Sequence, residues 1–129
     1  MRYHVKNLPH GWMYEEIPLT NVRSTVSLLA RIVVAKVTDE ERLITILRET
    51  PVVQGDPEWR CRTWVADALR RIAEDGTAVG TSRLDWEEIE KTGRGYVKHK
   101  TNKGRYASGV NLMGPKPTWD MLAGRETVA

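Results

Sequence analysis

The chain holds one cysteine, Cys61, in the stretch DPEWRCRTWVADALRRIAEDG. A thiolate is a strong nucleophile, and a helix start flanked by Arg60 and Arg62 favours that anion. To attack a carbonyl, the thiol needs a base, usually an imidazole, and a third group that orients the ring. Of the three histidines, His4 sits best, because RYHVKN alternates as a strand and a strand is a rigid platform. The next strand offers Glu15 and Glu16 as orienting carboxylates. The chemistry is then acyl transfer or hydrolysis on an amide or thioester of a small molecule. Cys61 attacks, His4 takes and returns the proton, and helix N–H groups hold the oxyanion. Trp12, Trp59 and Trp64 are candidate binding residues around that centre. Against this stands the plain role of a free cysteine, a small apolar side chain in a core. In that case the chain is a non-catalytic binding or assembly protein.

Other groups carry less. His10 follows a turn proline and His99 lies in a basic segment, so both are expected in solvated loops. No two histidines have metal-ligand spacing, and one cysteine is too few for a thiolate zinc site. No metal and no cofactor are therefore expected. KHKTNKGRY, with Tyr96 and Tyr106 as stacking groups, could meet phosphates. A net charge of +3 is too small to imply nucleic acid by itself. Asp85, Glu87, Glu88 and Glu90 read as the wet face of a helix. The glycine spacings GTAVG and GRG do not fit a phosphate-binding loop.

The elements that must position these groups follow from periodicity. Arg2 to Asn7 and Trp12 to Pro18 read as strands joined by a turn at Leu8 to Gly11. VSLLARIVVAKV, Val26 to Val37, reads as a central strand buried on both faces. Thr38-Asp39-Glu40-Glu41 is a capping box, and Leu43, Ile44, Ile46 and Leu47 make the apolar side of a helix that ends near Thr50, before Pro51. Asp56 caps a second helix with Pro57 at its first position. In that helix Cys61, Trp64, Val65, Ala68, Leu69 and Ile72 share one inward face, and Gly76 ends it. Ser82 to Asp85 opens a third helix through about Lys91. The Gly-rich TGRGYVKHKTNKGRYASG reads as a loop or irregular hairpin, and Thr118 to Leu122 as a last helical turn.

The fold class is α+β, a small mainly antiparallel sheet packed against a few helices. With 129 residues, 40% hydrophobic and 29% charged, a single domain over residues 1–129 is expected. No apolar run is long enough for a membrane helix, and the first residues lack the apolar core of a secretory signal. A lone cysteine suits a reducing, cytoplasmic setting.

WRCRTWV resembles the cysteine helix of the NlpC-type cysteine peptidase superfamily, nearest its circularly permuted branch, the lecithin:retinol acyltransferase-like proteins. In that branch the strand histidines precede the cysteine helix, as His4 precedes Cys61. RYHVKN, DEERLITILRETPVVQGDPEWRCRTWVADAL and KPTWDML, spread over most of the chain, resemble a family of small fungal proteins. The resemblance implies a cysteine-peptidase-like fold and thiol chemistry. Both groups carry an upstream strand with a His-Trp pair whose His is the usual base. Here the first strand begins at residue 2, so either His4 serves as base or the site lacks one. A missing strand would expose a sheet edge, so a homo-oligomer, most simply a dimer, is expected.

Overall fold

A computed structural model describes residues 1–19 and 28–129. The elements are β1 (Arg2–Leu8), β2 (Gly11–Ile17), β3 (Arg31–Val33), β4 (Ala35–Val37), α1 (Glu40–Glu49), α2 (Cys61–Asp75), β5 (Val79–Ser82), α3 (Trp86–Asn102), α4 (Gly109–Met113), β6 (Thr118–Asp120) and β7 (Arg125–Val128). The fold is α+β. Two compact units share the chain: Met1–Leu19 with Lys36–Trp86, and residues 28–35 with Glu87–Ala129.

The first unit is built on the antiparallel hairpin β1–β2, in register from Arg2↔Ile17 to Leu8↔Gly11. Gly11 has φ 133°, and a Cβ there would come within 2.6 Å of Gln54 Oε1. Only glycine leaves that room. Gln54 uses it to accept from Trp12 N at 2.9 Å and to donate to Trp12 O at 2.6 Å. Its amide thus serves the strand as a neighbouring backbone would.

Successive strand residues face opposite ways. Tyr3, Val5, Trp12 and Tyr14 face a core shared with Ile46, Leu47, Trp59, Trp64, Ala68, Ile72 and Ala78. α1 starts one residue later than the Thr38–Glu41 capping box places it: Asp39 is the cap, accepting from Arg42 N at 3.0 Å, while Thr38 Oγ1 donates to Thr77 O at 3.1 Å. Thr50 closes it through bonds to Ile46 O. Trp64 Nε1 donates to Thr50 O at 3.4 Å, which gives the buried indole its partner. α2 ends on Gly76, at φ 74° in the left-handed region. β4 and β5 form a separate two-stranded sheet.

The second unit centres on β6, which pairs parallel with β3 and antiparallel with β7. Tyr106 Oη donates to Leu29 O at 2.9 Å, and Lys116 Nζ donates to Leu112 O. Pro117 is fully buried.

Several expectations need correction. Residues 26 and 27 of the proposed central strand lie outside the described residues. The rest of that strand divides into β3 and β4, with Arg31, Lys36 and Val37 exposed. Charged ends that must stay in water interrupt the apolar run. Asp56 and Pro57 form a turn rather than a helix start: Asp56 Oδ1 accepts from Glu58 N at 2.9 Å, and Trp59 N donates to Asp56 O. α2 begins only at Cys61, with Arg60 as its cap residue. The Gly-rich segment is helical as far as Asn102, where α3 ends, and only residues 103–108 are turn and bend as expected. Thr118 to Asp120 is strand β6, not helix. Thr118 and Trp119 are strand formers, and β3 and β7 give them partners.

Candidate functional site

His4 and Glu15 are cross-strand neighbours, with Nε2 and Oε2 3.2 Å apart. Lys6 Nζ reaches the same oxygen at 2.7 Å. The Lys6 bond first, and then the His4 bond, hold Glu15 below the usual carboxylate range, against partial desolvation. This is half of the expected arrangement: an imidazole with a carboxylate behind it. It faces the wrong way for the other half. Val5, next along β1, points into the core with α2, so strand alternation turns His4, Lys6 and Glu15 to the opposite face of the hairpin. The sheet itself stands between His4 and the helix of Cys61.

Glu16 is on the inward face but belongs to a structural clamp. Arg48 donates to it through Nε at 2.7 Å and through Nη2 at 3.0 Å, and Tyr14 Oη donates to it at 2.9 Å. Those bonds, Arg48's first, depress the Glu16 pKa. Burial first, then the Glu16 bond, raises that of Tyr14.

Cys61 is exposed. It lies on the angular stripe of Ala68 and Ile72, as its spacing requires. As the first residue of α2, however, its side chain tilts toward the helix start and past the end of the core. It is therefore not packed behind Trp59 and Trp64, and His4 lies on the other face of the hairpin. Trp59 and Trp64 are buried core residues. Trp12 packs edge-on against Trp59, with centroids 5.3 Å apart. The expected binding tryptophans are thus the packing of the first unit.

A different constellation appears in the second unit. Glu88, Lys91, Thr92, Gly95, Tyr96 and His99 of α3 face Trp119 of β6 and Glu126 of β7 across a cleft of about 620 Å³. Trp119 and Glu126 are register partners, so they share one side of the β6–β7 pair. The Tyr96 and Trp119 rings are tilted at 50° with centroids 5.9 Å apart. Tyr96 Oη donates to Glu126 Oε2 at 2.5 Å, and Lys100 Nζ reaches that oxygen at 2.6 Å. The Lys100 bond first, then the Tyr96 bond, hold Glu126 below the usual carboxylate range. Burial, then Glu126, raises the Tyr96 phenol. Lys100 also sits over the Tyr96 ring, 5.7 Å from its centroid.

Residues 1–128 match a family described as a family of unknown function, DUF6914. The chain belongs to DUF6914. No curated protein and no solved structure matches it.

The DUF6914 cleft uses residues that sequence reasoning left elsewhere. His99, expected in a solvated loop, stands on α3. Tyr96, expected as a free stacking group beside KHKTNKGRY, is buried and bonded to Glu126, while Tyr106 is bonded to Leu29 O. Lys100 and Arg105 of that basic segment are also engaged, Arg105 with the carbonyls of Asn111 and Pro115. The spacing Lys91, Gly95, His99 is i, i+4, i+8, a straight stripe once α3 is known to continue. That spacing was the signal available in the sequence. Among the described residues no group of three or more His, Cys, Asp or Glu is placed to hold a metal ion. No described helix is long and apolar enough to cross a membrane.

Proposed function

We propose that this DUF6914 chain is a small-molecule binding module whose ligand seats between α3 and the β6–β7 pair. One observation carries this: Gly95. It lies in the interior of α3, and a Cβ added there meets nothing within 4 Å. Glycine in a helix interior costs about 1 kcal/mol relative to alanine. Neither close packing nor a positive φ accounts for it. It does keep the cleft open beside Tyr96 and Trp119, where a ligand can lie against helix backbone. The volume falls in the range of ordinary ligand sites, and aromatic walls with a few polar groups are their usual lining.

The test is two-dimensional NMR of the whole chain against a library of small ring compounds. Binders are expected to shift the Gly95, Thr92 and His99 amides and the Trp119 indole N–H together. Shifts scattered over other surfaces, with those signals unmoved by every compound, would overturn the proposal.

Thiol acyl chemistry is the second reading, favoured by the exposure of Cys61 at the first position of α2. It would need a base other than His4. Fast labelling of Cys61 by iodoacetamide at neutral pH, with a rate that titrates on an imidazole, is its expected mark. A rate equal to that of a free cysteine peptide would remove it.

A further inference from the structure

This inference rests on the cleft reading above and gives its ligand a chemistry. We infer that the α3 cleft selects a planar ring bearing an anionic group, an aromatic carboxylate, laid over Gly95 against Trp119 with its acid at Lys91.

The cleft contains both acids and bases, so the sign of the ligand depends on which are already engaged. Glu126 is taken by Lys100 and by the Tyr96 hydroxyl. Glu88 also has a partner within the protein. The face of Tyr96, where a cationic ligand would stack, already has the Lys100 ammonium over it. Both features a cation would need are therefore committed. The bases are different. Among the described residues the Lys91 ammonium has no ion pair or hydrogen bond. The His99 imidazole has none either, although its proximity helps depress the Glu126 pKa. Lys91 is thus the open charge of the cleft and His99 closes its far end, about 12 Å along the helix at 1.5 Å per residue.

Shape supplies the ring. Gly95 stands midway between Lys91 and His99 and leaves bare backbone there. The opposite wall is the half-buried Trp119 indole. Bare helix backbone on one side and an indole on the other suit a flat, apolar body. Thr92 adds a hydroxyl beside Lys91, one turn from Glu88.

The experiment uses the full chain with three probes of one shape: naphthalene-2-carboxylate, naphthalene-2-carboxamide and 2-naphthylmethylammonium. Affinities come from calorimetry and sites from NMR shifts. The carboxylate is expected to bind about fivefold more tightly than the amide, the scale of one exposed ion pair, and the ammonium most weakly. The carboxylate's advantage should shrink with added salt. Lys91→Gln is expected to equalise carboxylate and amide. Gly95→Ala, in a helix that stays folded, is expected to weaken all three. Equal carboxylate and amide binding in the cleft, or tighter ammonium binding, overturns the anion preference and leaves the cleft reading standing. Failure of all three to shift Gly95 and Trp119 overturns the aromatic-carboxylate assignment, and the cleft reading falls with it only if the wider library also leaves those signals unmoved.

Discussion

α2 and α3 are the long helices of the two units, 15 and 17 residues, and they use their faces in opposite ways. α2 turns Trp64, Ala68 and Ile72 inward and buries all three. Its polar face is laced by Arg70 and Arg71 to Asp67 and Glu74. α3 buries Tyr96, while Lys91, Gly95 and His99 leave a strip of it bare beside the cleft. The first helix is filled by side chains. The second is held short of filling by a glycine and by Lys91, whose ammonium has no ion pair among the described residues. The contrast separates a helix whose inward face is filled from one that keeps a bare strip beside a cleft.

The sharpest attempt to break that contrast is Trp64→Ala. If α2 is a packed wall, removing its central indole costs about 3–5 kcal/mol in urea denaturation. A loss under about 1 kcal/mol would mean that the face is not a core. The next tests are two glycine-to-alanine changes expected to have opposite signs. Gly76→Ala places a Cβ on a left-handed residue and should destabilise by about 1–2 kcal/mol. Gly95→Ala should stabilise by about 0.5–1 kcal/mol, because nothing opposes its Cβ. The same sign for both would erase the distinction between a glycine required by the backbone and one that keeps a space open.

The smallest effect is confined to acid. Glu126 is depressed by Lys100 and Tyr96. Its contribution is therefore complete above the unfolded carboxyl value, near pH 4.3, and is lost as pH falls through the lower folded value. Glu126→Gln should make the fall of the urea midpoint between pH 5 and pH 3 shallower than in wild type, the remaining fall belonging to other depressed carboxylates such as Glu15 and Glu16. Parallel slopes in the two proteins would detach the β7 carboxylate from the stability of the α3 unit.

The two helices also differ in how far they could be read from the chain. α1 and most of α2 are legible because their signals are local: Asp39 before Glu40, an apolar stripe from Trp64 to Ile72, Gly76 at the stop. The start of α2 was misplaced because Asp56-Pro57 serves a turn as well as it serves a cap. α3 was cut at Lys91 because two glycines and a basic run look like a loop. Gly93 is explained only by a distant residue, its Cβ position lying 3.7 Å from Ile32 Cγ1. β6 has three residues and exists through β7, which follows it, and through β3, far away in the chain. The orientation of His4 is legible after all. Tyr3 and Val5 must face the core, so the residue between them must face away. The pairing of His4 with Glu15 followed from the hairpin register; its separation from Cys61 followed from the pleat.

The aromatic composition has an optical consequence. The chain has no Phe and five Trp. Four of these, Trp12, Trp59, Trp64 and Trp86, belong to the first unit, and Trp119 alone belongs to the second. With those four replaced by tyrosine or phenylalanine in a variant that still folds, the remaining fluorescence would come from the cleft wall. The emission colour would then report whether that indole is wet or covered, and its quenching would register an arriving ring without any label.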